Sequence, residues 1–214
     1  MSPKINTETT RQQREWRREQ LLSVALQLAL ESSPQEVSMT ELARRAGLSR
    51  TSVYEYFSST SDLITQVLTQ ELEEYRRLVN EAVLCEMEPE AKVRAWIEAS
   101  LAYITSGDHL LARGMGAISS NPESIALFRR KHQALLAPLE EVFFSLGVTD
   151  TKRALTLTQA IVDIAAKNIE QSRTSRDADQ DAPISQSDTE ILARSELSIA
   201  VNLVLATLST LKSD

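Results

Sequence analysis

The sequence predicts an all-α fold, with a small three-helix domain at the amino terminus and a larger helical bundle after it. Among the 214 residues there are only five glycines, six prolines and 5% aromatic residues, which leaves little material for turn-rich β structure. Apolar residues recur at helical spacing along most of the chain. Residues 38–62 carry the start and stop signals of two short helices that a tight turn joins.

The first predicted helix begins at Thr9 or Thr10 and ends near Glu31. Its buried face is apolar and consists of Leu21, Leu22, Ala25, Leu28 and Ala29. Arg11, Arg14 and Arg18 recur at positions i, i+3 and i+7, so they form a basic stripe on the opening turns.

The second and third predicted helices flank Gly47. Ser38 and Glu41 have the spacing of a capping box, in which the serine oxygen accepts a free backbone N–H and the glutamate reaches back to the cap N–H. Gly47 can adopt the left-handed conformation that ends a helix. Ser49 then caps a helix through Phe57, which buries Val53 and Phe57 itself.

The outward residues of this third helix have the chemistry of a DNA reader. Arginine, hydroxyl and carboxylate groups can pair with base edges in the major groove, and tyrosine hydroxyls can reach phosphates. The predicted DNA-binding residues are Ser38, Thr40, Ser49, Arg50, Thr51, Ser52, Tyr54, Glu55 and Tyr56, together with Arg14 and Arg18 of the first helix. For the basic stripe two interpretations stay open: a solvated face with Arg11 paired to Glu15, or a surface that contacts DNA backbone or a minor groove.

The order T/S-x-x-E-L-A-x-x-A-G-L-S-R-x-S-V-Y-x-Y-F resembles the amino-terminal domain of the tetracycline-repressor (TetR) family, over about Leu21 to Leu63. The resemblance implies a helix-turn-helix DNA-binding domain at 1–61 and a ligand-binding and dimerisation domain at 62–214. The chain departs from the family pattern twice. Thr60 stands where the family usually has a phosphate-contacting lysine, and Ser32-Ser33-Pro34 replaces a glycine after the first helix.

Five further helices are predicted after residue 61, with a shorter one after residue 108. The first runs from Asp62 to about Glu86 and connects the predicted DNA-binding domain to the predicted ligand-binding domain. A continuous helix in this position is expected to couple ligand binding to DNA binding. The others span about 90–106, 121–146, 150–171 and 187–211, and Pro138 should kink or split the helix that contains it. Residues 172–187 hold almost no apolar side chains and are predicted to be a solvated or disordered loop.

The last predicted helix is apolar on two sides, which one small domain cannot easily bury. Contact with a second subunit would bury the second apolar side of this helix. The family resemblance also implies a two-fold four-helix bundle made from the last two helices of each protomer. The predicted interface residues are Leu157, Ile161, Ile164, Leu197, Val201, Val204 and Leu208.

A small-molecule effector is the second expected partner, and its identity cannot be inferred from the sequence. Polar or aromatic groups on otherwise apolar faces are more often core residues than ligand contacts. The candidates for effector contact are Trp96, Tyr103, Arg113, Met115, Phe128, His132 and Asn168.

The charge distribution is compatible with DNA binding. Residues 1–60 carry a net charge of +1 and the remaining residues −8, and affinity for duplex DNA depends on a few local phosphate contacts. A single cysteine excludes an intrachain disulfide. The longest uncharged run, 197–211, is too short and polar for a membrane span, so a cytoplasmic location is expected.

Neither an enzyme nor a metal or cofactor site is predicted. His109 and His132 lack metal-ligand spacing, no phosphate-binding loop is recognisable, and Cys85 has no histidine nearby in sequence. The sequence therefore predicts a dimeric, ligand-responsive DNA-binding regulator that acts as a repressor of transcription. The alternative is a helical adaptor that uses the helix-turn-helix for protein contacts.

Overall fold

The computed structural model describes residues 7–105, 122–177 and 186–212, and within these ranges the regular secondary structure is helical apart from one isolated bridge. The all-α prediction is confirmed. The helices are α1 Thr7–Glu31, α2 Met39–Ala46, α3 Arg50–Tyr54, α4 Thr60–Leu84, α5 Pro89–Thr105, α6 Pro122–Gln133, α7 Ala137–Ser145, α8 Thr151–Asp177 and α9 Gln186–Thr210, with a 3₁₀ turn at Ala134–Leu136.

The chain divides into two compact units. The described part of the first comprises residues 7–73 and 122–131, and that of the second comprises 74–105, 132–177 and 186–212. The predicted domain boundary between residues 61 and 62 stays a prediction.

The first unit packs α1, α2, α3 and the start of α4 around fully buried apolar side chains. Leu21 of α1, Leu42 of α2, Val53 of α3 and Leu63 of α4 are each at most 1% exposed, and Phe57 fills the turn between α3 and α4. These are the positions that helical spacing predicts to be buried. Their burial fixes which face of α3 is left to solvent.

Two helix boundaries in this unit differ from the prediction. The helix predicted to run from Ser49 to Phe57 ends as α3 at Tyr54, although the Phe57 N–H still reaches the Val53 carbonyl. The next helix begins at Thr60, before the predicted Asp62, because the Ser59 hydroxyl accepts the Asp62 N–H at 3.0 Å and caps the helix.

The second unit is built around Trp96 of α5. Its indole is fully buried and donates a 3.0 Å hydrogen bond to the Leu135 carbonyl in the 3₁₀ turn. Pro89 opens α5, where its fixed φ and missing N–H suit the first turn of a helix. Pro138 lies at the start of α7, and the predicted helix 121–146 is split there into α6, the 3₁₀ turn and α7 because proline cannot continue a helical hydrogen-bond ladder.

The last two helices are longer than predicted. α8 continues to Asp177 and α9 begins at Gln186, so residues 172–177 and 186–187 are helical where a loop was expected. The rest of that loop, 178–185, lies outside the described residues. The carboxyl end of α9 is tied down by a bridge between Val148 and Lys212 and by the Leu211 carbonyl, which accepts the Thr149 N–H at 3.1 Å.

One stretch of α9, Glu190–Thr210, is long and apolar enough to cross a membrane by length and composition alone. The run 197–211, predicted to be too short and too polar for a span, is only part of it. Apolar core helices of soluble proteins have the same property. Within this chain 22% of the most apolar window of α9 is buried, so much of that window is accessible to solvent in a single protomer.

Candidate nucleic-acid interface

The turn between α2 and α3 has the geometry of a helix-turn-helix. Ser38 has extended backbone angles, and its hydroxyl accepts the Glu41 N–H at 3.2 Å, so it is the N-cap of α2. Gly47 ends α2 in the left-handed region with φ of 65°. The Leu48 N–H then bonds to the Ala43 carbonyl at 2.9 Å, which closes the helix end.

The predicted capping box is only half correct. Glu41 does not use its carboxylate for the cap; it pairs with Arg44 at 2.6 Å and with Arg45 at 3.2 Å. Hydrogen bonds from Arg44, followed by those from Arg45, lower the pKa of Glu41 to about 2. Arg45 also pairs with Glu31 and so links α2 to the end of α1. Two arginines beside the turn are thus neutralised within the protein.

Ser49 caps α3. Its hydroxyl accepts the Ser52 N–H at 3.0 Å, and the two serine hydroxyls are 2.8 Å apart. Both serines were predicted to contact DNA, and both also have this structural role. Capping fixes the direction in which α3 leaves the turn, and therefore the side chains that α3 presents to solvent.

α3 presents a polar surface over a buried apolar base. Val53 and Phe57 are buried, whereas Arg50, Thr51 and Tyr54 are exposed. Glu55 is exposed and Tyr56 half-buried just beyond the helix. A short helix with its polar face free and its apolar face packed can be inserted into a major groove.

Arg50 and Tyr54 interact along this exposed surface. The Arg50 guanidinium lies 5.5 Å from the centre of the Tyr54 ring, and its Nη2 donates to the tyrosine hydroxyl at 3.3 Å. Spacing of i, i+4 puts the two side chains on the same face of a helix. The pair orients the guanidinium before any ligand arrives, which lowers the entropic cost of binding.

Arg14 of α1 reaches the end of residues 50–56, which carry the predicted base-reading side chains and are called the recognition segment. Its Nη2 donates to the Glu55 carbonyl at 3.0 Å, and its guanidinium lies 5.9 Å from the centre of the Tyr56 ring. Arg14 was predicted to contact DNA. In the structure it also positions the backbone that carries Glu55 and Tyr56.

Arg18 is held in a network between α1 and α4. Its Nη2 donates to the Gln66 side chain at 2.5 Å, and Gln66 donates to Asp62 at 2.7 Å. Burial raises the pKa of Asp62, but hydrogen bonds from Gln66 and Ser58 outweigh this effect and the pKa is lowered. Arg18 therefore stabilises the start of α4, and the DNA contact predicted for it stays a prediction.

The remaining predicted DNA-binding residues, Ser38 and Thr40, are exposed at the beginning of α2. The structure thus brings together Arg14, the start of α2 and the polar face of α3 in one unit. The sequence pattern did not indicate the Arg18–Gln66–Asp62 network, because side chains 48 residues apart carry no shared periodicity.

The residues predicted to form a subunit interface lie on two different faces. Ile164 is 61% exposed, Leu157 is exposed and Ile161 half-buried, so α8 presents an apolar stripe. Leu197 is half-buried. Val201, Val204 and Leu208 are at most 1% exposed; their prediction as interface residues is wrong for this protomer, because they pack into its own core. The exposed apolar residues of α9 are Ile191, Ile199, Leu203 and Ala206.

The predicted effector contacts are not all in one place. Trp96 is a core residue bonded to backbone, and Asn168 is exposed and donates to Glu196 at 3.2 Å. Tyr103 stacks on Tyr75 with ring centres 4.4 Å apart. Burial lowers the pKa of His132, an effect that the charge of Asp163 partly offsets. Arg113, Met115 and the side chain of Phe128 lie outside the described residues.

An open groove of about 690 Å³ runs along the second unit and is bordered by the end of α4, the start of α5 and the start of α7. Its walls combine apolar residues such as Val83 and Val142 with the charged Arg76, Lys92 and Glu141. None of the described candidates for effector contact lines this groove.

Comparison with known proteins agrees with the geometry of the first unit. Residues 21–67 match the family model of bacterial regulatory proteins of the tetR family. These residues include α2, the turn at Gly47 and α3. A comparison with curated proteins finds no significant relative.

Solved structures share the fold at low sequence identity. A transcriptional regulator from Rhodococcus sp. Rha1 has a TM-score of 0.68 at 22% identity, and the match covers 89% of this chain and 96% of that one. FadR from Bacillus subtilis, solved with stearoyl-CoA, has a TM-score of 0.64 at 18% identity and coverages of 86% and 97%. The fatty acid degradation regulator FadR from Bacillus halodurans has a TM-score of 0.65 at 16% identity and coverages of 86% and 94%.

Proposed function

We propose that this chain, whose residues 21–67 match the family model of bacterial regulatory proteins of the tetR family, is a transcriptional repressor. It binds a palindromic operator as a dimer and releases the operator when a small-molecule effector binds. The observation that carries the proposal is the exposed polar face of α3, where Arg50, Thr51 and Tyr54 lie over the buried Val53 and Phe57. That face has the donors and acceptors needed to read base edges.

Dimerisation is supported by apolar side chains that a single protomer leaves in water. Ile164 of α8 and Leu203 of α9 are 61% and 51% exposed, and Ile199 is 48% exposed. Contiguous apolar patches on a helical surface mark association sites. A two-fold dimer presents two recognition helices, and these read inverted half-sites about one helical turn apart.

Effector release is supported by the fold. FadR from Bacillus subtilis, which has a similar fold, was solved in complex with stearoyl-CoA, so a helical body of this kind can hold a small molecule.

The experiment is selection of bound fragments from random double-stranded DNA by the purified full-length chain. The expected result is an inverted repeat whose affinity falls steeply with salt, since each neutralised phosphate contributes about −0.9 to the slope of log K against log salt. An asymmetric single site, or binding insensitive to salt, contradicts the proposal. Failure to select any sequence favours the adaptor interpretation, in which the helix-turn-helix contacts protein.

A further inference from the structure

The groove of about 690 Å³ in the second unit has no role in the proposed function. Its volume lies within the range of about 300–1,000 Å³ that ligand-binding clefts occupy. Three helices and the 3₁₀ turn line it, and all the lining residues belong to one compact unit. The α4 residues recur at i, i+4, i+7 and i+8 from Arg76 to Leu84, the α7 residues recur at i, i+3, i+4 and i+7 from Pro138 to Ser145, and α5 contributes Pro89 and Lys92.

The walls of the groove are largely apolar and rigid. Val83 and Val142 line it and are each 6% exposed. Pro89 and Pro138 add ring surfaces whose backbone angle is fixed and which have no N–H to donate. Such walls hold their shape before a ligand arrives, so little conformational entropy is lost when one binds.

Apolar surface of the groove is left in water toward the end of α4. Leu84 lines the groove and is 80% exposed, and Met87, three residues later, is 87% exposed. Eight residues of helix place Leu84 about 12 Å along α4 from Arg76. The α4 stripe therefore runs from a charged end to an apolar end, as the contact surface for an amphipathic molecule does.

The charged groups of the lining favour an anion. Arg76 and Lys92 are positive and Glu141 is negative, so the lining has a net charge of +1 in a chain of net charge −7. Lys92 is half-buried and forms no ion pair with any residue that the structure describes. Partial burial of an unpaired ammonium is costly, because water is removed without a counter-charge in its place. Glu141 is exposed, so its charge stays hydrated.

We propose that this groove binds a small amphipathic anion, that is, an apolar body carrying a carboxylate, sulfonate or phosphate group. Lys92 pairs with the anionic group, and Arg76 adds to the positive potential around it. The apolar body lies against Val83 and Val142 and covers Leu84.

The site goes beyond the proposed function and is separate from the predicted effector contacts. Trp96, Tyr103, His132 and Asn168 do not line the groove. Its ligand can be titrated without DNA, so the DNA selection can fail while this site is confirmed, and the reverse.

The first test uses 8-anilinonaphthalene-1-sulfonate, an aromatic anion whose fluorescence rises when it binds apolar surface. Titration of the folded full-length chain should show one site per protomer that added salt weakens. Lys92→Gln should weaken binding about fivefold, as expected for the loss of one partly screened charge pair, and Lys92→Arg should bind like the parent. Arg94→Gln, an exposed arginine on α5 outside the lining, is the matched control. Unchanged binding by Lys92→Gln, or an equal loss in Arg94→Gln, overturns the proposal.

The second test fills the groove. Ala137 lines it and is exposed, so Ala137→Trp occupies the groove without entering the core and should abolish binding of the sulfonate. Glu140→Trp, at an exposed position of α7 outside the lining, should bind at least as tightly as the parent. Circular dichroism checks that both variants are folded. Parent-like binding by a folded Ala137→Trp shows that the dye binds elsewhere, and that result overturns the site.

The third test separates charge from shape with N-phenyl-1-naphthylamine, which has the same apolar body without the sulfonate. Ala137→Trp should weaken its binding, whereas Lys92→Gln should leave its affinity at the parent value. Equal weakening of both dyes by Lys92→Gln shows that Lys92 contributes shape and not charge, which overturns the assignment of an anion to this groove.

Discussion

The Nη2 atom of Arg14 donates a 3.0 Å hydrogen bond to the backbone carbonyl of Glu55, so the first helix holds the end of the segment that we propose to read DNA. The contact joins residues 41 positions apart, and the same guanidinium lies over the Tyr56 ring. A basic stripe that sequence spacing assigns to DNA or solvent thus has an intramolecular role, and that role predicts how its loss affects binding.

Arg14→Ala should weaken binding to every sequence several-fold without changing which sequence is preferred. The reason is that a loosened Glu55–Tyr56 backbone misaligns the whole recognition segment. The slope of log K against log salt should stay at the parent value, whereas a lost phosphate contact reduces its magnitude by about 0.9. Titration of the selected operator at several salt concentrations measures both quantities.

Arg11→Ala is the matched control, since Arg11 is an exposed arginine on the same helix. If Arg14→Ala changes the slope by about one phosphate, Arg14 acts by contacting DNA directly. If both variants bind like the parent, neither role is correct.

Arg50→Ala and Glu55→Ala should each change the selected operator sequence. Arginine donates two bonds to guanine and a carboxylate accepts from cytosine, and one such contact contributes about 1–3 kcal/mol of discrimination. Tyr54→Phe should keep the preference and weaken all sequences, because it retains the ring under Arg50 and loses only the hydroxyl.

Repeating the DNA selection with each variant checks this expectation. Arg94→Ala, which removes an exposed arginine from α5, should return the parent operator. Identical operators from the parent, Arg50→Ala and Glu55→Ala would falsify direct reading by these two residues.

Leu203→Asp and Val204→Asp, at adjacent positions, should fail in different ways. Leu203 is 51% exposed and Val204 is 1% exposed. Aspartate at 203 should separate the protomers while each stays folded, because the charge enters a dry subunit interface. Aspartate at 204 should unfold the second unit, since it places an unpaired charge in the core.

Sedimentation and circular dichroism distinguish the two outcomes. The Leu203→Asp monomer should also lose operator affinity by orders of magnitude, because the second half-site is no longer bound intramolecularly. A folded dimer for Leu203→Asp shows that α9 uses another surface, and a folded Val204→Asp dimer contradicts the packing of this face.

Gly47→Ala should lower the free energy of unfolding by about 1–2 kcal/mol, the cost of a left-handed conformation for a residue with a Cβ. The backbone angle is the only cause, since an added Cβ meets no atom within 4 Å. Operator affinity should fall as well, because Gly47 sets the angle between α2 and α3.

Gly147→Ala is the control. Gly147 also has a positive φ, 78°, with open space around it, but it lies before α8. Chemical denaturation should show a similar loss of stability for both variants, and titration should show reduced operator affinity for Gly47→Ala alone. Unchanged affinity in a destabilised Gly47→Ala contradicts the turn's role.

The sequence predicted the features that depend on neighbouring residues. Helix starts at Ser38 and Asp150, the left-handed Gly47 and the split at Pro138 all follow from capping, backbone freedom or a missing N–H, and the structure confirms them. The apolar cores of α1 and α4 were also predictable, because burial of a helical face leaves a 3.6-residue period in the sequence.

What the tertiary structure decided was the direction in which ambiguous side chains point. The sequence shows two apolar sides on α9 and does not indicate which of them is buried in the protomer. Packing of α9 against α8 and α5 buries Val201, Val204 and Leu208 and leaves Ile199 and Leu203 exposed to solvent. The stacking of Tyr75 on Tyr103 and the bond from Arg14 to Glu55 join segments 28 and 41 residues apart. Such relations leave no local pattern, because the chain fixes periodicity within a helix while burial and hydrogen bonding depend on which helices meet.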